Sequence, residues 1–301
     1  MKQKVNYISG PPGLGKTYKV LRLVMRDMLK NDGLVVYVAP TKVLLKQFAS
    51  DLEEVWAQKH NAKEGSKEMT DFKMRVKGMW SNDLKPKAIA DQVFHYFRHA
   101  QGKEASLNTF GHVPGSLLLL THEGFSRLRP NSIPEKYKRK TYLYYDEARR
   151  VIAETRVGRI EDDSLRHILD SVVTTKNYEG TSFWQARLNR PIDEADAFVK
   201  AHIIGTAVHP SIVRNIRKLI EDIGNTSKEV YMGSETLTAS RMFFSISLPA
   251  KQFSGYKAVT IMAAYFEDTQ LHKMLQNDPD VNLVDITGTV DKKGVRRKAL
   301  N

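Results

Sequence analysis

The chain has 301 residues, 41% of them hydrophobic and 27% charged, the make-up of a globular protein with room for one large or two ordinary domains. It contains no cysteine, which excludes disulfides, thiol catalysis and cysteine-ligated zinc or iron–sulfur centres. Lysine plus arginine number 47 against 34 aspartates plus glutamates, and this +13 charge attracts polyanions, nucleic acid ahead of acidic lipid or a mere solubility surplus.

No apolar run reaches the roughly 18–20 residues of a membrane span. The amino-terminal Met-Lys-Gln-Lys leads directly into a strand pattern, so no signal peptide is expected and a cytoplasmic location is. Val5–Ser9 reads as that short strand. It is followed by Gly10-Pro11-Pro12-Gly13-Leu14-Gly15-Lys16-Thr17, which fits the phosphate-loop pattern G-x-x-x-x-G-K-[ST]. A helix is expected over Tyr18–Leu29, where Leu21, Val24, Met25, Met28 and Leu29 recur at helical spacing. In this setting the glycines let backbone N–H groups close around phosphate oxygens, where a Cβ would obstruct them. Lys16 is expected to neutralise the β- and γ-phosphates and the Thr17 hydroxyl to ligate Mg²⁺, with Tyr18 beside the nucleotide.

Asp32-Gly33 breaks the chain, and Leu34–Ala39 is a continuous apolar run of the kind buried in parallel sheets. Pro40-Thr41 opens a second helix, Lys42–Trp56, with Thr41 as a candidate N-cap. Residues 58–88, rich in lysine, read as a surface excursion, and a helix follows near Ala88–Gln101. Trp80, Phe94, Tyr96 and Phe97 lie among bases and suit stacking on a single strand, though the Phe94/Phe97 spacing fits a helix packing its apolar side better. Leu117–Leu120 and Tyr142–Tyr145 read as buried strands.

The second of these ends in Asp146-Glu147. In a doubly wound sheet the strand ends form the ligand-binding edge, which brings this pair to the phosphate loop. Asp146 is expected to hold Mg²⁺ and Glu147 to take a proton from an attacking water, although an Asp-Glu pair also commonly opens a helix. From Arg150 to Leu248 the pattern loosens into mostly helical segments, with strand candidates at Val230–Met232 and Met242–Leu248. Lys257–Ala264 is again a buried-strand pattern, followed by the helix Thr269–Gln276. The expected fold is therefore α/β, a doubly wound and mostly parallel sheet flanked by helices. Residues 1–150 and 250–301 form one domain, interrupted by a largely helical insertion over 151–249.

Gly10–Thr17, then Ala39-Pro40-Thr41-Lys42-Val43-Leu44-Leu45-Lys46-Gln47, then Asp146-Glu147-Ala148-Arg149 resemble the ordered motifs of superfamily 2 helicases. Thr121-His122-Glu123-Gly124-Phe125 is similar to a further motif of that class. The resemblance implies the first RecA-like domain of a motor that couples ATP hydrolysis, with Mg²⁺, to movement on DNA or RNA. It implies nucleic-acid contacts at Pro40, Thr41, Lys42, Lys46, Thr121 and His122. Four of them have a plainer reading, Thr41 as a cap, Lys42 and Lys46 as a solvated helix face and His122 as a surface or partly buried histidine. Ala263-Ala264-Tyr265 resembles the strand that couples hydrolysis to movement, and Gly205-Thr206-Ala207 is its rival. The late-chain pattern is closest to phage and repair-type DNA helicases, so single-stranded DNA is favoured over RNA.

The chain departs from that pattern in three places. It lacks the iron–sulfur cysteines, it has Arg149 where Asp or His is usual, and it has no Gln-x-x-Gly-Arg-x-x-Arg, for which Gly294-Val295-Arg296-Arg297 is a poor substitute. A second RecA-like domain is therefore expected from a further segment or another polypeptide, and slow hydrolysis from this chain alone. The phosphate loop also fits an AAA+ ATPase, but the 130-residue gap from Lys16 to Asp146 is long for that class. A nucleotide-gated nucleic-acid-binding module is the non-enzymatic alternative.

Overall fold

The structure, a computed structural model, describes residues 2–11, 15–30, 34–79, 89–98, 115–128, 132–148, 152–159, 163–177, 184–203, 210–233 and 240–288. Its elements in order are β1 (Gln3–Ser9), α1 (Lys16–Met28), β2 (Leu34–Ala39), α2 (Lys42–His60), α3 (Lys67–Arg75), β3 (Val76–Met79) and α4 (Ile89–Arg98). There follow β4 (Leu117–Thr121), α5 (His122–Ser126), α6 (Glu135–Lys138), β5 (Thr141–Asp146), β6 (Ile152–Arg159), α7 (Asp163–Val172), β7 (Val173–Asn177) and β8 (Trp184–Leu188). The last are α8 (Ile192–Ile203), α9 (Pro210–Ile223), β9 (Lys228–Met232), β10 (Ser240–Ser247), α10 (Pro249–Phe253), β11 (Ala258–Ala263), a 3-10 turn at Phe266–Asp268, α11 (Gln270–Asn277) and β12 (Val281–Asp285). Two compact units result, one of residues 1–149 and 253–301, the other of residues 150–252.

In the first unit seven strands form one parallel sheet in the order β12-β1-β11-β5-β2-β4-β3. Every residue of β2, Leu-Val-Val-Tyr-Val-Ala, is buried, as a strand covered on both faces requires. On one face Val35, Tyr37, Leu117, Leu119, Tyr142 and Tyr144 meet α1 through Val20, Leu21, Val24, Met25 and Met28, and α2 through Leu45, Phe48, Leu52 and Trp56. On the other, the Tyr145 ring packs against Phe125 and Phe253 with centroids 5.8 and 5.5 Å apart. This is the doubly wound parallel α/β fold that the periodicity predicts.

The lysine-rich stretch after α2 is more ordered than its composition implies. It supplies α3, whose Met69 and Phe72 are buried against α2, and β3, the edge strand of the sheet. Two apolar residues three apart are enough to seat a short helix, and an edge strand needs few more. In α4, Tyr96 and Phe97 are buried and Phe94 half-buried, so these aromatics pack the core. Trp80 lies outside the described residues.

The second unit overturns the expectation of a largely helical insertion. It is α+β, a five-stranded sheet in the order β6-β10-β9-β8-β7 whose described pairings are antiparallel, with α7, α8 and α9 packed on it. Val173, Ala186, Val230, Met232 and Phe243 face Leu169, Val172, Val199, Ile216 and Ile220 of the helices. β7 and β8 bury one residue of five each, and polar residues such as Thr174, Lys176 and Arg187 break the apolar runs that mark β2. Charge divides unevenly, with 33 basic against 21 acidic residues in the first unit and 14 against 13 in the second, together the 47 and 34 of the chain. Among the described residues no helix is long and apolar enough to cross a membrane.

Asp196 of α8 pairs with Lys200 of the same helix at 2.5 Å and with Arg217 of α9 at 2.8 Å, the second tying the two helices. Burial alone pushes its carboxyl up, but those cations outweigh it and hold the group below the ordinary carboxylate range. A depressed carboxylate stabilises above its unfolded pKa, and that contribution is lost as pH falls through the folded one. Asp196→Asn should therefore cost about 1 kcal/mol at neutral pH, with the gap to the parent closing below about pH 4. Urea unfolding at the two pH values measures it.

Candidate functional site

Parallel strands finish at one edge of their sheet, so chain segments far apart in sequence gather there. Gly10 follows β1, Pro40-Thr41 follow β2, Thr121 ends β4, Asp146 ends β5 and Ala263 ends β11. Because β11 lies between β1 and β5, Ala263 stands between the glycine loop and the acidic pair.

At the glycine loop, Gly15 is the N-cap of α1 at φ 70°, and Gly10 has φ 144°. A Cβ built on Gly15 would meet nothing within 4 Å, so the glycine answers a backbone requirement rather than a close contact. α1 has no side-chain cap and no acidic residue in its first turn. By contrast, α2, α3, α5 and α11 are each capped by a threonine or serine hydroxyl. With a glycine at its N-cap, α1 has no capping side chain of its own, and a helix end of that kind can receive an anion on its first N–H groups. Lys16 folds back over the loop, its Nζ donating to the Gly10 carbonyl at 2.5 Å and lying 3.4 Å from that of Pro11. Thr17 and Tyr18 are exposed, and the Tyr18 hydroxyl accepts from Arg22, whose guanidinium also lies 4.7 Å from the ring centre. Pro12, Gly13 and Leu14 lie outside the described residues.

The acidic pair is held from β2, the start of α5 and β11. Tyr37 of β2 donates its hydroxyl to Asp146 Oδ2 at 2.7 Å, and its ring is stacked on Phe48 at 3.7 Å. His122 donates from Nε2 to the Asp146 carbonyl at 2.7 Å while its ring lies flat on Tyr145, 4.5 Å between centres. Glu147, exposed and at φ 64°, donates its N–H to the Met262 carbonyl of β11 at 2.6 Å. Burial pushes the Asp146 carboxyl above its ordinary value and the Glu147 charge adds to this, while Tyr37 and Lys16 pull it down. Lys16 is lowered by burial against the pull of Asp146 and Glu147. The loop lysine and the two carboxylates therefore lie within each other's fields.

Thr41 is exposed and its hydroxyl accepts from Leu44 N at 3.2 Å, so that hydroxyl is the N-cap of α2. Pro40 and Lys42 are half-buried and Lys46 is exposed. Thr121 caps α5 through Gly124 N at 3.0 Å. His122 corrects an expectation, since at 7% exposure it lies beneath the surface and links the ends of β4 and β5 rather than facing outward. Ala263 is buried, Ala264 and Tyr265 are exposed, and Tyr265 is left-handed at φ 48°. Gly205-Thr206-Ala207, Arg149 and Gly294–Arg297 lie outside the described residues.

Sequence reasoning missed Tyr37 and Ser9. Tyr37 sits inside an apolar run where a tyrosine reads as core, and only its hydroxyl marks it as different. Ser9 bonds Glu267 and accepts from Phe266 N at 3.0 Å, joining the end of β1 to the turn after β11. That link spans 258 positions, so no local signal announces it. No protein-family model matches the chain, and no curated protein matches its sequence.

Proposed function

We propose that the chain is an ATP-hydrolysing motor unit of the superfamily 2 helicase type, acting on nucleic acid, with single-stranded DNA favoured over RNA. The observation that carries this reading is one shared edge. An uncapped helix end with Lys16 and the pair Asp146/Glu147 flank the same strand, β11, and the three side chains are electrostatically coupled. The donors suit Mg²⁺, since Thr17 offers a hydroxyl and Asp146 a carboxylate with one oxygen already oriented by Tyr37. A hard cation of that kind takes one or two protein oxygens and completes its shell with phosphate and water. Bound there, Mg²⁺ draws charge from the phosphate oxygens.

Lys16, released from Gly10 and Pro11, neutralises the β- and γ-phosphates as the α1 N–H groups bind them. Glu147 takes the proton of the attacking water. His122 and Tyr37 hold the Asp146 backbone and side chain, and Ala263–Tyr265 carries changes at the site along β11. Pro40, Thr41, Lys42, Lys46 and Thr121 lie on the same edge, where a polymer backbone passes. A second RecA-like domain supplies the arginine that completes such sites, a group worth about 10³–10⁵ in rate, so this chain alone turns over slowly. The reading places the protein in the cytoplasm.

ATP turnover with and without single-stranded DNA or RNA tests the proposal. Stimulation by the polymer that disappears in Lys16→Ala is the expected result. Failure of the parent to bind either polymer or nucleotide defeats the reading.

A further inference from the structure

The opposite end of the same sheet, where its strands begin, carries a concentration of positive charge unrelated to the phosphate loop. Lys140 leads into β5, and its carbonyl accepts from Leu34 N at the start of β2 at 3.4 Å. Lys257 leads into β11, its N–H donating to Thr141 O at 3.0 Å, and Lys4 lies near the start of β1. The end of α1 brings Arg26 and Lys30 to the same place. Lys30 Nζ is 3.1 Å from the Tyr142 hydroxyl and 4.5 Å from its ring centre, and Lys257 Nζ is 4.9 Å from that same ring. One tyrosine thus holds two ammonium groups. Of the carboxylates at this end, Asp27 is 1% exposed and already bound by Lys30, Arg26 and the Tyr144 hydroxyl. Glu135 pairs with Arg139, and Asp278 and Asp280 lie beside β12 at the outer edge of the sheet. The Asp27 charge is turned inward, while the side chains of Arg26 and Lys30 remain 61% and 43% exposed.

We infer that this strand-start edge, built from Arg26, Lys30, Lys140 and Lys257 with Lys4 beside them, is a second binding surface for the phosphate backbone of nucleic acid. Three observations support that partner. The excess charge of the chain belongs to this unit, 33 basic against 21 acidic residues. Six-residue strands put this edge about 20 Å from the phosphate loop, beyond the roughly 8 Å over which charges act at physiological salt, so these cations do not serve the triphosphate. Cations held against an aromatic ring lose less side-chain freedom when a phosphate arrives. A membrane surface is the poorer fit because it takes large apolar side chains. Of those exposed among the described residues, only Leu29 lies at this end, while Tyr18, Val43, Leu44 and Tyr265 lie at the other edge and Trp184 in the second unit.

The inference rests on the nucleic-acid part of the proposed function and not on hydrolysis. Its test is the anisotropy of a labelled oligothymidylate and a labelled duplex, titrated with the full chain at several salt concentrations. Lys30→Gln/Lys140→Gln/Lys257→Gln should weaken binding about tenfold and reduce the log–log salt slope by about two, with nucleotide binding unchanged and the chain still folded at the assay temperature. Because Lys30 also pairs with Asp27, a second measurement uses the parent chain. DNA should protect Lys140 and Lys257 from amine-reactive labelling read by mass spectrometry. Equal affinity and slope in the folded triple variant, or labelling indifferent to DNA, overturns the inference. So does protection by phosphatidylserine vesicles and not by DNA. A parent that binds no polymer defeats the nucleic-acid part of the proposed function itself, whereas binding unaffected by the three substitutions defeats the second surface alone.

Discussion

Replacing Glu147 by glutamine should leave nucleotide affinity intact and lower turnover by about 10²–10⁴, the range for loss of a positioned general base. The substitution keeps the size of the side chain while it replaces the basic carboxylate by a neutral carboxamide. Glycine at the same position separates catalysis from folding. Glu147 is held at φ 64° by its N–H bond to Met262, a conformation that costs an L-residue about 1–2 kcal/mol and costs glycine far less. Part of that relief is offset by the freer unfolded chain of a glycine variant. Glu147→Gly should thus be up to about 1 kcal/mol more stable than the parent, and as inactive as the glutamine variant or more so. Unfolding curves and turnover on the same preparations decide it. Undiminished turnover in Glu147→Gln removes Glu147 from the mechanism.

The second large effect lies behind the carboxylate. Phe48 is 2% exposed and stacked on Tyr37 at 3.7 Å and 9°, so Phe48→Ala should cost about 3–5 kcal/mol. It also loosens the ring that carries the hydroxyl to Asp146, and metal-dependent nucleotide affinity should fall with stability. Tyr37→Phe isolates the hydroxyl. The bond favours the ionised form of Asp146, whose carboxyl burial already raises, so its loss raises that carboxyl further. Metal binding needs the ionised form, and its acid limb should therefore move to higher pH in Tyr37→Phe. The stability consequence has the opposite sign to that of Asp196. A carboxyl raised by folding destabilises above its folded pKa, and this cost is relieved as pH falls through it. Metal-dependent nucleotide binding across pH, with unfolding measured alongside, reads both; an acid limb that stays in place removes the Tyr37 bond from the account.

What the sequence revealed follows from how local each signal is. Leu34–Ala39 and Leu117–Leu120 declare themselves because central parallel strands are apolar on both faces. Gly10–Thr17 and Asp146-Glu147 are legible because each is a short pattern of residue types within a few positions, and the strand pattern before each places it at a strand end. β3, with Val76 and Lys77 half-buried and Gly78 exposed, has only one protected side and passes for loop. The strands of the second unit fail similarly, since Val173-Thr174-Thr175-Lys176-Asn177 buries one residue in five. The sequence neighbours of His122 do not set its position, which is decided by Tyr145 and the Asp146 carbonyl. The left-handed backbone at Glu147 and Tyr265 has no signature in residue type, because neither is a residue that prefers it.

β11 has a consequence for biosynthesis. Its neighbours β1 and β5 are translated before residues 150–252, and β11 itself only afterwards. At about 5–20 residues per second, the ribosome needs roughly 5–20 s to make the intervening stretch of about 100 residues. Through that interval the facing edges of β1 and β5 lack the strand that belongs between them, and direct pairing of the two would shut β11 out. Correct assembly of the nascent protein therefore depends on keeping a one-strand gap open until Ala258–Ala263 emerges to fill it.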